Sequence, residues 1–309
     1  MDRRCGLGVV IFCGRGGRSK PRAFVTAVTA SHQILLDVVQ CLLWALPLGL
    51  LAHHWFGERV ISLAGWDGRP RPGLPSDYTD LVVAVGLIFL LRWQVVQAGV
   101  MGERVTGRDL RVEDVVASVF GQVVMWMGLL FYLRGLRRRG LTAWLGLPDA
   151  RRLAVLAPLA VVWTVLAGVV VYGAAWLMNT KVWPSLGFEP AAQDIVRELA
   201  ENPNLMVRGM IILAACVVAP VVEETLFRGF LYPALRQGTD APFATIFTAV
   251  LFGAVHGTLA GLVPLALLGV MLVLAYEWSR GLALPVAIHA LFNVLSSASL
   301  WTNGLPVEP

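Results

Sequence analysis

Eight apolar stretches run along the sequence, and each is close to the length that an α-helix needs to cross a lipid bilayer. A spanning helix takes about 20 mostly apolar residues, and it satisfies its own backbone hydrogen bonds inside the hydrocarbon. Of the 309 residues, 57% are hydrophobic and only 15% are charged, which is too little charge to cover a soluble domain. We therefore expect an all-α fold, a polytopic transmembrane bundle of about eight helices. The predicted spans are residues 34–52, 79–100, 114–133, 153–178, 207–227, 242–260, 262–278 and 284–301.

Polar segments between these stretches divide the chain. Residues 57–78 are rich in Gly, Pro and Asp, which is typical of a loop outside the bilayer or at its surface. The acidic, amphipathic piece Gln193 to Ala200 is followed by Asn202-Pro203, which predicts a short surface helix. The predicted parts are a basic N-terminal tail (1–33), N-terminal transmembrane helices (34–178), an interfacial amphipathic segment (179–206) and a C-terminal transmembrane core (207–301).

Basic residues concentrate in two clusters next to apolar stretches, one in the N-terminal tail and one between residues 134 and 152. Such clusters usually face the cytoplasm and its anionic lipids, so membrane lipids are the predicted partners. Nucleic acid is not expected, because no base-stacking aromatic motif accompanies the clusters. With eight spans, a cytoplasmic 134–152 segment puts the basic tail on the other side. The orientation of the N-terminal half and the true start site therefore stay open.

Three groups of polar and ionisable residues interrupt the apolar stretches of the C-terminal core. A charge at the centre of a bilayer costs about 2.5–3.5 kcal/mol on insertion scales, so such residues are normally paired or functional. Each group lies in or at the end of a different predicted helix. The three groups are Glu223, Glu224 and Arg228, then His256, then His289 with Asn293.

Helical geometry gives the two adjacent glutamates different surroundings. Glu224 and Arg228 are four residues apart, so they share a helix face and can pair, at a helix end marked by Gly229. Glu223 points about 100° away from that face and is free to face a cavity. Pro220 can loosen the backbone ladder just before the carboxylates. His289 and Asn293 form a second polar face at the same spacing.

This set of residues suits hydrolysis, by one of two chemistries. A carboxylate and an imidazole in apolar surroundings can act as a general acid–base pair near neutral pH. Glu223 would then activate water with the help of His256, while His289 and Asn293 hold the oxyanion or orient the carbonyl. Alternatively, Glu223, His256 and His289 form a plausible zinc-ligand set with one open position. The metal-free version is favoured, with zinc as the alternative cofactor.

Each group also has a reading without catalysis. Glu224 with Arg228 could be a structural ion pair, His256 a packing histidine, and His289 with Asn293 an interhelical hydrogen-bond clamp. Two other functions therefore remain open: a non-enzymatic immunity or scaffold protein, and a transporter that uses the same buried carboxylates. Three such groups on successive apolar stretches are harder to explain by packing.

The three motifs, Glu223-Glu224-x-x-x-Arg228, Phe252-x-x-x-His256 and His289-x-x-x-Asn293, resemble those of the CAAX-processing and bacteriocin-processing (CPBP, or abortive-infection) membrane endopeptidases. The similarity covers roughly residues 205–300.

This resemblance implies a multi-pass intramembrane protease of the glutamic type, in a family formerly argued to be metalloproteases. By resemblance, Glu223, His256, His289 and Asn293 are the catalytic site, and Glu224 with Arg228 supports it. The expected substrates are membrane-associated or lipidated peptides, processed at a CAAX-type, leader or sorting-tail site. The expected location is a bacterial inner (plasma) membrane. The sequence has no His-Glu-x-x-His, Gly-x-Gly-Asp or Gly-x-Ser-Gly motif, which disfavours the other intramembrane protease types.

Overall fold

The computed structural model describes residues 78–99, 110–136, 145–146, 148–188 and 194–303. These residues form helices and no strands. The predicted span at 34–52, the basic tail and the 57–77 part of the predicted loop lie outside the described residues. The helices are α1 (Tyr78–Gly99), α2 (Val112–Leu136), α3 (Ala150–Ser185), α4 (Asp194–Glu201), α5 (Leu205–Gln237), α6 (Ala241–Val255), α7 (Leu259–Ser279) and α8 (Ala283–Asn303).

Five of these helices, α2, α3, α5, α7 and α8, are long and apolar enough to cross a membrane. They confirm the prediction of an all-α, multi-pass integral membrane protein. Two other predicted spans are helices with shorter apolar runs, Thr79–Ile88 within α1 and the whole of α6. The predicted span 242–260 was too long, because α6 stops at Val255 and His256 already terminates it. The short helix predicted near residues 193–200 is confirmed as α4.

Three of the four π-helical turns in the described helices widen a spanning helix just before a proline. They are Met178–Val182, Ala214–Val218 and Phe227–Leu231. In each case the next backbone N–H bonds to the carbonyl five residues earlier, and the residue after it is Pro184, Pro220 or Pro233. A proline has no N–H to donate, and its ring clashes with the carbonyl one turn back, so the wider turn lets the helix continue past it.

These wide turns correct two predicted helix ends. The span predicted to end near residue 227 continues as α5 to Gln237, because the π-turn Phe227–Leu231 carries the helix past Gly229 and Pro233. Gly229 is therefore a buried residue inside the helix and not a helix end. Likewise α3 extends past residue 178 to Ser185 through the π-turn before Pro184. Between its two π-turns, α5 keeps a regular α-helical stretch, Ala219–Leu226, which carries both glutamates.

Helices α5, α6, α7 and α8 pack around a shared core, with α3 against α7 and α8. The core is built largely from aromatic and aliphatic side chains of α5, α6 and α7, among them Phe227, Phe252 and Leu272, each fully buried. On the outside, α3 exposes a stripe at four-residue spacing, Val161, Val165 and Val169. An apolar outer surface is what a helix needs when lipid, and not water, surrounds it.

The amphipathic helix α4 is held against the start of α2 by polar contacts. The Asn202 side chain donates to the Leu110 carbonyl at 3.0 Å, and Glu198 accepts from the Leu110 N–H at 3.3 Å. Leu199 on the apolar face is buried with Val115 and Val207. These contacts join α4 to the start of α2 and to the N-terminal end of α5.

The close contact of α6 with α7 predicts that Gly253→Ala destabilises the fold. A Cβ at Gly253 would meet the Leu262 carbonyl oxygen and stand 3.0 Å from the Ala266 nitrogen, and backbone cannot yield as a side chain can. We expect a loss of about 1–3 kcal/mol, seen as a lower Tm of the purified protein in detergent. The matched control is Gly128→Ala on α2, where a Cβ has nothing within 4 Å and helix propensity favours alanine. Equal Tm for the two variants would contradict this packing.

Candidate active site

Glu224 lies at the centre of a fully buried ion pair on α5. Its Oε1 accepts from Arg228 Nη1 at 2.8 Å, and neither side chain has exposed area. The pair spans one helical turn, as its spacing predicts. Because a charge without a partner is costly at this depth, the pairing is what allows both residues to lie inside the bundle.

The guanidinium of Arg228 also ties α5 to α7 and α6. Its Nη2 donates to the Gly269 carbonyl at 3.0 Å, and its Cζ lies 4.5 Å from the centre of the Phe252 ring. Gly269 also lets α6 approach α7 closely, because a Cβ there would stand 2.9 Å from the Ala249 Cα. Arg228 thus brings three helices together around the carboxylates.

His289 on α8 is oriented by the same carboxylate. Its Nδ1 lies 3.0 Å from Glu224 Oε1, and the side chain is only 4% exposed. The carboxylate accepts, so Nδ1 carries the hydrogen and Nε2 is left to face the other glutamate. The distance from His289 Nε2 to Glu223 Oε2 is 4.0 Å.

His256 is oriented by the end of its own helix. The backbone N–H of His256 bonds to the Gly253 carbonyl, which leaves the Phe252 carbonyl to the imidazole, whose Nδ1 lies 2.7 Å from it. A carbonyl can only accept, so Nδ1 carries the hydrogen and Nε2 faces Glu223 Oε2 at 3.9 Å. Gly257, with φ +82°, turns the chain away immediately afterwards.

The result is a convergence of three atoms on one small space. Nε2 of both histidines approaches the same oxygen, Glu223 Oε2, which makes no hydrogen bond among the described residues. The Glu223 side chain is 14% exposed and that of His256 is 21%, so the cluster is partly open on the His256 side. In neutral imidazoles with hydrogen on Nδ1, all three converging atoms are hydrogen-bond acceptors.

The Asn293 side chain bonds to the backbone of the glutamate helix. Its Nδ2 donates to the Ala215 carbonyl on α5 at 2.7 Å. The polar face of α8 that bears His289 and Asn293 contacts α5 through both residues. The predicted role of Asn293 at an oxyanion stays a prediction.

The zinc alternative can be compared with this geometry. The donor types suit zinc, and both histidines have the Nδ1 hydrogen bond that commonly orients a metal ligand. Ligand atoms of a tetrahedral zinc ion, however, lie roughly 3.3 Å apart, whereas the histidine nitrogens stand 3.9 and 4.0 Å from the carboxylate oxygen. Among the described residues, no group of three His, Cys, Asp or Glu side chains has metal-binding spacing. As arranged, these atoms stand farther apart than the ligands of a bound zinc ion, and the metal-free version stays a prediction.

Phe252 contacts both histidines of the cluster. Its ring lies 5.0 Å from that of His256 and 5.6 Å from that of His289, centre to centre, and its carbonyl binds His256. The four-residue spacing from Phe252 to His256 was a sequence signal for the carbonyl contact. The carbonyls of Ala215 and Gly269 gave no such signal, because any residue has one.

Comparisons with known proteins match the part of the chain that contains this cluster. Residues 207–295 match the Rce1-like family model, described as type II CAAX prenyl endopeptidase Rce1-like. This match confirms the resemblance seen in the motifs, and the matched region contains all the predicted site residues.

Two curated bacterial proteins are similar to part of the chain. One is "Putative membrane peptidase YdiL" of Bacillus subtilis (strain 168), 29% identical over 84 residues, which is 27% of this chain and 34% of that protein. Another is "Membrane-embedded CAAX protease MroQ" of Staphylococcus aureus (strain USA300), 31% identical over 83 residues, which is 25% of this chain and 34% of that protein. The similarity thus spans about a third of the length of each relative. No solved structure matches the chain.

The buried ion pair predicts that Arg228→Met destabilises the protein strongly. The substitution keeps most of the side-chain volume but leaves Glu224 without its cation, and removing one partner of a buried pair costs about 3–5 kcal/mol. The measurement is Tm in detergent. The control is the double variant Glu224→Gln, Arg228→Met, which removes both charges and should lose less stability than Arg228→Met alone. A double variant that is less stable than the single one would contradict this account.

Proposed function

We propose that the chain is an intramembrane endopeptidase of the glutamic type, in which Glu223, His256 and His289 bind and activate one water molecule. The observation that carries this proposal is the convergence of both histidine Nε2 atoms on Glu223 Oε2 at 3.9 and 4.0 Å. These separations are too long for direct hydrogen bonds. They suit a water placed between the atoms at ordinary hydrogen-bond distances, with the two to four polar partners that a buried water needs.

The fixed tautomers explain why a water suits this space. Three acceptor atoms cannot satisfy one another, whereas a water has two hydrogens to donate. A water that donates to Glu223 and to one histidine keeps its lone pairs for a substrate carbonyl carbon. Because both imidazoles are held through Nδ1, the acceptors are already oriented before a substrate binds.

The proposed reaction proceeds by general base catalysis. Glu223 takes a proton from the water as its oxygen attacks the carbonyl carbon of the peptide bond, and a tetrahedral oxyanion forms. If His289 takes one further proton from solvent before attack, its imidazolium has a hydrogen on Nε2 as well and can donate to that oxyanion, while His256 stays the neutral acceptor of the water. Collapse of the intermediate breaks the C–N bond, and the proton held by Glu223 passes to the leaving amine. Glu224 and Arg228 act only through His289 and the positions of the helices.

Membrane-associated or lipidated peptides are the proposed substrates. The cluster belongs to apolar helices, and its open side is next to His256, so a substrate has to reach it from within or beside the bilayer. The names of the matched family and of the Staphylococcus relative refer to CAAX substrates, which supports a site near a lipidated C-terminus. Leader and sorting-tail peptides stay within the same proposal.

We expect Glu223→Gln to abolish peptide cleavage while the protein still folds. The amide has nearly the same shape but cannot take a proton, and loss of a general base lowers the rate on the order of 10²–10⁴-fold. Cleavage of a panel of prenylated, acylated and unmodified peptides by the purified protein is the measurement, with Tm as the check on folding. The control is Glu201→Gln, an exposed carboxylate at the end of α4, which should cleave at the wild-type rate.

Three outcomes would change the proposed function or the role of Glu223. Unchanged cleavage by Glu223→Gln would remove Glu223 from the catalytic role. A cellular function that survives both Glu223→Gln and His256→Ala would favour a non-enzymatic scaffold, and substrate uptake into liposomes that depends on Glu223 would favour a transporter.

Treatment with a metal chelator should leave cleavage unchanged, since the separations within the cluster are wider than those around zinc. Metal analysis of the same preparation, before and after chelation, is the companion measurement. Loss of cleavage on chelation, restored by zinc and accompanied by stoichiometric metal, would instead make Glu223, His256 and His289 ligands.

A further inference from the structure

The carbonyl of Ala215 has lost both of the backbone donors that a helix can offer it. In an α-helix its donor would be the N–H of Ala219, but that N–H bonds to the Ala214 carbonyl, in the wider π pattern. In a π-helix its donor would be the next residue, which is Pro220 and has no N–H. The proline that lies three residues before Glu223 therefore leaves one carbonyl of α5 without a backbone partner.

The side chain of Asn293 supplies the missing donor. Its Nδ2 lies 2.7 Å from the Ala215 oxygen, across the contact between α8 and α5. Both residues are partly buried, so the carbonyl is shielded by the packed helices. An unsatisfied backbone carbonyl is costly in a membrane, where no bulk water replaces the lost partner.

We propose that Asn293 is a positioning residue, which holds His289 opposite Glu223 by binding the carbonyl that Pro220 leaves free. His289 and Asn293 lie one turn apart on the same face of α8, and each bonds to α5, at Glu224 and at Ala215 respectively. Two hydrogen bonds one turn apart fix both the rotation and the sliding of one helix against the other. With only the first, α8 could shift and carry the His289 Nε2 away from the catalytic space.

This role makes a prediction that direct oxyanion binding does not. If Asn293 acts through the Ala215 carbonyl, a variant that restores a backbone N–H at residue 220 makes Asn293 dispensable. If Asn293 binds the oxyanion, the backbone at residue 220 has no bearing on the effect of its loss. The cleavage part of this test rests on the proposed function, whereas the stability part does not.

The experiment is a double-mutant cycle of Asn293→Ala and Pro220→Ala in the full-length protein. Both cleavage and Tm are measured for the wild type, the two single variants and the double variant. We expect Asn293→Ala alone to lower Tm and to lower kcat on the order of 10- to 100-fold with little change in KM, as misplacement of a catalytic group does. In the Pro220→Ala background, Asn293→Ala should lower Tm and kcat much less than it does in the wild type.

Ser297→Ala is the matched control. Ser297 lies one further turn along the same face of α8, and its hydroxyl is 3.9 Å from the Cys216 sulfur, a side-chain contact that involves no released backbone carbonyl. Its effect on Tm should be small and the same in both backgrounds. A coupling to Pro220 that is as large for Ser297 as for Asn293 would overturn the specific link to the Ala215 carbonyl.

Additive losses in the cycle would overturn the proposal and return Asn293 to a role at the oxyanion. If the wild type cleaves no peptide, the proposed function is in question, and the Tm cycle still decides the role of Asn293.

If Pro220→Ala does not fold, Pro220→Ser restores the same N–H. If neither folds, Asn293→Asp keeps the side-chain size but lacks the amide donor. An unchanged Tm for that variant would overturn the proposal, and a lowered Tm with an unchanged Ser297→Ala would support it.

Discussion

The ion pair between Glu224 and Arg228 is the interaction on which the rest of the site depends. Two full charges lie with no exposed area in a helix that is apolar enough to cross a membrane. Their mutual contact makes this possible, and each charge then organises a second neighbour. The carboxylate orients His289, and the guanidinium reaches the Gly269 carbonyl on the next helix. The ion pair therefore has an effect beyond the stability of its own helix: through His289 it positions one of the two imidazoles that face Glu223.

The prolines of α5 have a second organising effect. Each forces a wide turn, so the eight-residue stretch Ala219–Leu226 lies between two π-helical segments. The wide turns release carbonyls that side chains or neighbouring helices can then bind, which an unbroken α-helix does not allow. For the first turn, the partner of the released carbonyl is Asn293. The wide turn before Pro220 and the Asn293 side chain on α8 thus form one contact, in which the turn supplies the acceptor and Asn293 the donor.

Much of this could be predicted from the sequence, because the signals were local and strong. Apolar stretches of spanning length predicted the helical bundle, and the four-residue spacing of Glu224 and Arg228 predicted their pairing. The helix ends were less accessible. Gly229 indicated a helix end after Arg228, but a π-turn carries the helix past Gly229 and past Pro233. Helix-stop rules assume that a proline ends the hydrogen-bond ladder, and a wider ladder avoids that conflict without a stop.

The partners of the site residues were harder to predict, because several are backbone carbonyls. Ala215 and Gly269 carry no sequence signal that their carbonyls bind Asn293 and Arg228. The spacing of Phe252 and His256 allows their contact only because the helix ends at His256. Such partners follow from where helices end, widen or approach closely, and these are three-dimensional consequences of proline, of a terminating turn and of a missing side chain. Sequence motifs could therefore identify which polar residues come together, but not which of their hydrogen bonds are already taken.

The hydrogen bonds already made within the cluster distinguish the two glutamates. Among the described residues, Glu223 Oε2 and Glu224 Oε2 are both buried without a hydrogen-bond partner. Glu224 Oε1, however, binds Arg228 and His289, whereas Glu223 Oε2 faces two imidazole nitrogens. Adjacent carboxylates of identical chemistry thus differ because the helix points them about 100° apart, one toward cations and donors and the other toward acceptors. An acceptor surrounded by acceptors is stable only with a hydrogen donor between them. In a hydrolase, that donor can be the water that the reaction consumes.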